Sequence, residues 1–470
     1  MDMKSNRRDF LKISSQAAIG LPLIASIRIP SAAVTGQIEK KKGPDTTKSS
    51  LVLNVRDYGA AGDGTTNDTV ALQQTINRCE VLGGGEVLVP AGNYLTGTIQ
   101  LRSNVTLHLE KDAVISGSPD FNDYPVAQVR WEGKWIQGRT ALIYAVDAEN
   151  IGIKGPGKIA GNYALGGRPN KENPLRHPAL IEPINCRNLV FENFSTDYHL
   201  MWSIHPTYCE NITIRNLTIR STGGNGDGID VDSCKHVLIE GCDIATGDDC
   251  ISLKSGRGME GYTLLKTTED VQIRNCKLSD SIFACIGIGS ETSGGIRNVL
   301  IENCKFSNTK TYAIYIKSRP GRGAFIEDIT ARNLEVSGMK GGFLRMNILG
   351  SGIQDPEPIP GNDGIPTIKN FRFSNIRVSD VEVLVDGTSI HPSKPLDGFE
   401  LSDVSGICYK GISLANIKNA SLKDIKVSGF TGTLLSICNV SGKGLEGAQT
   451  IDFPHKVPEE ITAGEGYKLR

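Results

Sequence analysis

Short runs of alternating apolar and polar residues recur along the chain: "NLVFENF" at Asn188, "NITIRNL" at Asn211, "HVLIEGC" at His236, "DVQIRNC" at Asp270 and "NVLIENC" at Asn298. Weaker copies are "NVTLHLE" at Asn104, "NIGIKGP" at Asn150 and "IKNFRFSNI" at Ile368. A period of two marks a strand with one buried face. The five strong copies start 23, 25, 34 and 28 residues apart. A constant strand with variable spacing means stacked coils separated by loops of different lengths. Coils of this length, with about three short strands each, predict an all-β fold of right-handed parallel β-helix type, rising roughly 4.8 Å per coil. A β-sandwich would instead need hairpin turns every 8–12 residues or so, and these are not evident.

A solenoid needs a cap, and "TNDTVALQQTINRCE" predicts an N-terminal capping helix. Leu72, Ile76 and Cys79 form its apolar stripe, and Asn67 or Thr66 is the expected N-cap. The β-helix is expected over 51–445, with 446–470 as a C-terminal tail. "NRRDFLK" (Asn6 to Lys12), an apolar run from Ala17 to Ile27 and "SAA" (Ser31 to Ala33) occur in the order of a twin-arginine export signal over 1–33, followed by a polar linker over 34–50. An incidental Arg-Arg before a core helix is the plainer alternative. The expected location is periplasmic or extracellular. The apolar run is too short to span a bilayer, and no other stretch is long and apolar enough.

Composition adds little to this. The chain has 470 residues and a formal net charge of −1, so no charge excess points to nucleic acid or a membrane surface. Nothing indicates an oligomer, and a monomer is expected. Of the eleven cysteines, Cys242, Cys276 and Cys304 share one repeat position, which predicts a buried column rather than disulfides. No CxxC pair occurs, so a zinc site is not expected.

The chemistry concentrates in "NGDGIDVDSC" (225–234), which holds Asp227, Asp230 and Asp232, and in "TGDDCISLKSG" (246–256), which holds Asp248 and Asp249. Asp227 and Asp248 are 21 residues apart, close to one coil. The two segments should therefore meet on one face, with a backbone bend at Gly247 letting both adjacent aspartates reach it. Carboxylates held several ångströms apart suit acid/base hydrolysis of a glycoside, in which one keeps a proton and another activates water. Asp230 and Asp232 read as strand caps or acceptors for turn N–H groups; alternatively, Asp227, Asp230 and Asp232 are calcium ligands.

With both motifs in place, the chain over about 52–440 resembles glycoside hydrolase family 28, the polygalacturonases and their relatives. "NVRDYGAAGDGTTNDTVALQQTI" and "GGGEVLVPAGNYLTGTIQLRSNVTLHLE" are similar to the family's cap and first coils, and "MWSIHPTYCENITIRN" to the stretch before its active coils. "NGDGIDVDSC" resembles its Asn-Thr-Asp-Gly motif and "GDDCISLKSG" its Gly-Asp-Asp motif. The resemblance implies an inverting hydrolase of α-linked galacturonate in pectic polysaccharide, with no metal and no other cofactor. It implies Asp248 as general acid, Asp227 and Asp249 as holders of the attacking water, and Asn225 as a residue shaping the Asp227 turn. The chain departs from the family's uronate-cleaving members twice. Phe283 stands where they carry His and Tyr315 where they carry Arg, while Lys317 is retained. A charge-assisted hydrogen bond contributes about 1.5–3 kcal/mol, so losing the Arg changes substrate choice more than chemistry. Phe283 and Tyr315 are expected to stack on a neutral or deoxy sugar, which makes rhamnogalacturonan or another pectic side-chain linkage the alternative substrate.

Lys254, Arg257, Arg322 and His205 are candidate substrate contacts. For the three cations the plainer reading is a solvated surface charge, and for His205 a satisfied core histidine. Two other functions compete with hydrolysis: a β-helical polysaccharide lyase using calcium, and a non-catalytic glycan-binding solenoid. Segments 124–145, 164–178 and 351–366 are the candidate loops that would wall the cleft.

Overall fold

The computed structural model describes residues 51–166, 169–199 and 201–465, so the expected export signal and linker lie outside the described residues. The chain forms a parallel β-helix. Each coil places one strand in each of three stacks, and neighbouring coils pair in parallel register. In one stack Ile229–Asp232 pairs with Ile251–Lys254, which pairs with Ile286–Ile288, which pairs with Tyr312–Lys317. The repeats seen in the sequence form the second stack, from Val105–Leu109 through Glu149–Lys154, Arg187–Glu192, Glu210–Arg215, Lys235–Glu240 and Thr268–Arg274 to Ile296–Glu302. The third begins with Ala113–Gly117 and Lys158–Ala160.

The residue that opens each repeat has a structural reason to be Asn, Asp or His. Asn104, Asn150, Asn188, Asn211, His236, Asp270 and Asn298 all have φ between 53° and 60°, a left-handed bend these side chains tolerate. Asn150 donates to Asn104, Asn188 to Asn150 and Asn211 to Asn188 at 2.8–3.0 Å, a ladder along one corner of the solenoid. The apolar positions of each repeat point inward; Ile212, Ile214, Val237, Ile239, Val271 and Ile273 are buried in one continuous core. Cys242, Cys276 and Cys304 are buried as the repeat predicts, all eleven cysteines are unpaired, and Cys186, Cys209 and Cys234 are buried at corresponding places in successive coils.

The helix Thr69–Val81 closes the N-terminal end, with Leu72, Ile76 and Cys79 buried. Its boundary residue is Asp68, and neither expected N-cap occupies that position. The Asp68 carboxylate turns away to accept from Ala61 and Gly62 N–H, and Asn67 Oδ1 accepts from Thr69 N–H at 3.1 Å instead. At the far end Gln449–Thr450 still pairs with Leu435–Lys443, after which the chain runs back over earlier coils. His455 Nε2 lies 3.0 Å from Thr388 Oγ1, and Gly464 N–H donates to Asp355 O at 2.6 Å.

Among the described residues the one antiparallel ladder is the hairpin Val126–Trp131 with Lys134–Arg139. Glu132 (φ 42°) and Gly133 (φ 74°) form its two-residue turn. Arg176 anchors the hairpin: its guanidinium donates to both Glu182 oxygens at 2.6 Å, to Arg130 O at 2.9 Å and to Arg139 O at 3.3 Å. Arg176, from the 164–178 segment, thus fastens the 124–145 segment to the solenoid.

Candidate active site

The Ile229–Asp232 and Ile251–Lys254 pairing decides where the aspartates meet. Gly228 N–H donates to Asp249 O at 3.0 Å and Ser203 N–H to Asp227 O at 2.9 Å, which pins the Asp227 backbone between the coils on either side. A Cβ on Gly228 would lie 2.4 Å from Cys250 O, and one on Gly247 would lie 2.1 Å from Gly223 O. The bend expected at Gly247 therefore depends on close backbone approach. Asp227, Asp248 and Asp249 each place a carboxylate oxygen within 4.8 Å of the others. They line a cleft of about 220 Å³ together with Asn225, Lys254, Arg257, Phe283 and Lys317.

Lys317 Nζ lies 2.7 Å from Asp249 Oδ2, which also accepts from Ser252 Oγ at 2.8 Å, while Oδ1 accepts from Ala284 N–H at 3.0 Å. That donor set matches an ionised carboxylate. The ammonium reaches Asp249 past Gly287, where a Cβ would stand 2.4 Å from Asp249 Oδ2 and 3.2 Å from Lys317 Cε. Burial works against the Lys317 charge, but Asp249 outweighs it and raises the ammonium's pKa.

The rest of the cluster resists ionisation. Burial pushes the Asp227 carboxyl well above the usual range, and the charges of Asp230 and Asp248 push the same way. Asp248 is raised by burial and then by Asp249. Asp230 is raised to about 7, chiefly by burial, against the pull of Lys254. With this many carboxyls behind one protein wall, the cluster retains protons that separate aspartates would have lost.

Two of the remaining acids were expected to be minor. Asp232 is structural, but as an ion-pair partner: Arg130 Nε from the hairpin lies 3.0 Å away and Ser233 Oγ donates at 2.8 Å. Asp230 neither caps a strand nor takes turn N–H groups. It is fully buried beside Asp227, and Lys254 Nζ lies 3.2 Å from its Oδ1 in a charge contact without hydrogen-bond alignment. The three aspartates of 225–234 do not converge as a calcium site. Among the described residues the trio close enough to share a cation is Asp227, Asp248 and Asp249, where the Lys317 ammonium already supplies a positive charge.

Three expected substrate contacts fall outside the cleft. Tyr315 is buried behind Phe283, with ring centroids 5.6 Å apart, and its hydroxyl accepts from Asn347 Nδ2 at 3.3 Å. It supports the aromatic wall and does not face a sugar. Arg322 is completely buried and ion-paired with Asp355. His205 is buried with Nδ1 3.0 Å from Glu182 Oε1, the satisfied core histidine of the plainer reading. Arg257 does reach the cleft, forking to Asp355 (3.0 Å) and Glu132 (3.1 Å), and so ties the hairpin to the 351–366 segment.

The cleft also holds residues that sequence reasoning missed: Trp131 and Glu132 at the hairpin tip, Trp202, Glu291, Ser290, and Gly352 with Ile353. Trp131 and Trp202 stack at 4.6 Å, and the Lys254 ammonium lies 4.4 Å over the Trp202 ring. Burial opposes the Glu291 charge, but Lys254, Arg322 and Arg257 outweigh it and hold its carboxyl below the usual range. Glu132 is raised by burial and by Glu291. The "EG" turn between aromatic flanks was the available signal for the hairpin tip, and Trp202 sits inside "MWSIHPTYCENITIRN", noted for another reason.

Residues 79–423 match the family model described as "Glycosyl hydrolases family 28". A probable polygalacturonase of Vitis vinifera is 32% identical over 367 residues, covering 74% of this chain and 73% of its own length. An exo-poly-alpha-D-galacturonosidase of Dickeya chrysanthemi is 26% identical over 449 residues, covering 83% and 72%. The crystal structure of a hyperthermoactive exopolygalacturonase from Thermotoga maritima superposes with a TM-score of 0.66 at 27% identity, covering 81% of this chain and 92% of that one.

Proposed function

The chain belongs to glycosyl hydrolases family 28 and is a glycoside hydrolase of the pectin-cleaving, polygalacturonase-like kind, and from this premise we propose that Asp227, Asp248 and Asp249 carry out inverting hydrolysis. Asp248 holds the proton given to the leaving glycosidic oxygen; its raised pKa suits an acid that must stay protonated. Asp249 and Asp227 hold the attacking water, and Asp249, with donors on both oxygens, is the member best furnished to act as a charged base. The observation that carries this reading is the convergence of the three carboxylates within 4.8 Å.

That spacing also supports a second outcome. Inverting pairs usually stand about 6.5–9.5 Å apart and retaining pairs about 5–5.5 Å, so retention through an aspartyl intermediate has an observation in its favour. We prefer inversion for two reasons. Oxygens within 4.8 Å of one another can be bridged by one water at about 2.8 Å from each. Asp249, whose oxygens already accept from Lys317, Ser252 and Ala284, is a poor nucleophile.

The substrate we propose is an α-linked galacturonate in a pectic chain, its carboxylate met by Lys254, Arg257 or Lys317. Phe283, which lines the cleft where the uronate-cleaving members of the family carry His, favours a rhamnogalacturonan or side-chain linkage as the second reading. The hairpin tip and Gly352–Ile353 wall a space sized for a chain end, which supports exo attack, the mode named for the Dickeya and Thermotoga relatives. The 1–33 signal supports export; N-terminal sequencing of a mature periplasmic or secreted protein starting near Ala33 tests it. For the chemistry, Asp248→Asn is expected to lower kcat at least about 10²-fold with an unchanged melting temperature. Undiminished release of reducing ends from homogalacturonan and rhamnogalacturonan oligosaccharides would refute the assignment.

A further inference from the structure

A second hollow, of about 340 Å³, lies on the outer side of the wall that carries the catalytic aspartates. The two spaces share that wall: Gly247 and Ile282 face the hollow, while their chain neighbours Asp248 and Phe283 face the cleft. Its lining comes from the turns that follow the third strands of successive coils, so it runs along the solenoid beside the cleft. Three large apolar side chains stand exposed in it: Tyr163 (57%), Tyr198 (42%) and Ile282 (44%). The two tyrosine rings touch, with centroids 4.1 Å apart.

Tyr198 is exposed and is not part of the buried core. Its φ is 56°, a conformation that is an outlier for a bulky residue. Later coils fill the same position, directly after the third strand, with Asp280 (φ 56°) and Asn308 (φ 57°), residue types that tolerate this bend. The Tyr198 ring is thus displayed to solvent despite an unfavourable backbone. The hollow's charges select against an acidic ligand. Asp197 and Asp280 line it, and the one Lys or Arg among its described lining residues, Arg220, is held by Asp243 at 2.6 Å. This contrasts with the cleft, where Lys254, Arg257 and Lys317 converge.

We propose that this groove binds a neutral sugar branch of the same pectic polysaccharide that the cleft cuts, stacking it on Tyr198 and Tyr163. Aromatic faces take the apolar faces of sugar rings, the two carboxylates among the described lining residues disfavour a uronate chain, and the shared wall brings groove and cleft to one substrate. The proposal rests on the pectin-cleaving reading above, and it predicts that the enzyme distinguishes branched from linear pectic chains through residues that do not touch the scissile bond.

The test has two arms. In the first, the Asp248→Asn protein is titrated with a neutral galacto- or arabino-oligosaccharide and with a linear oligogalacturonate. The neutral sugar is expected to bind in the presence of saturating oligogalacturonate, and to bind about tenfold more weakly when Tyr198→Ala is added. In the second, the otherwise wild-type enzyme carrying Tyr198→Ala or Tyr163→Ala is expected to cleave linear oligogalacturonate at an unchanged rate. Its kcat/KM on a branched pectic polysaccharide is expected to fall about tenfold, with Tyr198→Trp restoring it. No binding of the neutral sugar, binding that survives Tyr198→Ala, or equal loss on linear and branched substrates would overturn the proposal. If the wild-type enzyme cleaves neither polysaccharide, the reading of the cleft fails, while the titration still decides whether the groove binds sugar.

Discussion

Replacing Gly287 by alanine adds one methyl group to the strand Ile286–Ile288, and the structure sets its effect. The new Cβ would lie 2.4 Å from Asp249 Oδ2, 3.0 Å from Asp249 Cγ and 3.2 Å from Lys317 Cε. Ordinary carbon–oxygen contact needs roughly 3.3 Å, so the Asp249 carboxylate must retreat by about 1 Å. It cannot do so and keep the Lys317, Ser252 and Ala284 hydrogen bonds. A displacement of that size in a reacting group costs on the order of 10²-fold in rate, equivalent to about 2.7 kcal/mol of barrier. The backbone itself accepts alanine, because φ at Gly287 is not left-handed, and the overpacking penalty is about 1–3 kcal/mol, within the reach of a large solenoid. The expected result is a roughly hundredfold fall in kcat, measured by release of reducing ends, with KM little changed and a cooperative melt only a few degrees lower. A Gly287→Ala enzyme with wild-type kcat would refute the geometry assigned to Asp249.

Other expectations follow from the same cluster. Asp230→Asn removes a like charge beside Asp227, which lowers the Asp227 pKa; the acid limb of the kcat/KM profile should move to lower pH. The same variant alters stability. A carboxyl raised from 3.8 to about 7 in the folded protein contributes stability that is present below pH 3.8 and lost as pH rises through 7. Melting curves of Asp230→Asn should therefore decline less between pH 4 and 8 than those of the wild type. Phe283→Ala should raise KM roughly tenfold through lost stacking, whereas Tyr315→Phe, which loses only the 3.3 Å contact from Asn347, should stay within about twofold of wild type; the reverse order would mean that Tyr315 faces the sugar. Arg257→Lys replaces a fork that holds Glu132 and Asp355 together with a single ammonium. It should raise KM through a loosened hairpin, and a matching drop in hydrogen-exchange protection at 126–139 would check it.

The coils were legible because each repeat opens with a residue that tolerates φ near 55° and then alternates inward and outward. The aspartate trio was legible because 21 residues is nearly one coil, so a spacing in sequence became a contact in space. Tyr315 and Phe283 could not be separated by type; one lies behind the other, and which faces the cleft depends on packing across coils. Arg322 and His205 carry the residue types of a sugar site, but Asp355 and Glu182, 33 and 23 residues away, satisfy them internally; a one-coil spacing brings partners together without saying whether a pair is buried or faces the cleft. Trp131 and Glu132 come from a hairpin with an antiparallel register of its own, which the repeat does not encode. Asp230 was read as peripheral because alternation along a strand predicts a side chain's face and says nothing about the charge across the sheet, where Lys254 stands.

The anomeric configuration of the first product tests the central claim most directly. Proton NMR recorded during the opening minutes of hydrolysis of an α-linked galacturonate oligosaccharide separates the two anomers before mutarotation mixes them. Water delivered by Asp249 and Asp227 while Asp248 protonates the leaving oxygen predicts that the β-anomer appears first. Initial accumulation of the α-anomer would mean a covalent aspartyl intermediate and would contradict the water-holding roles given to Asp227 and Asp249.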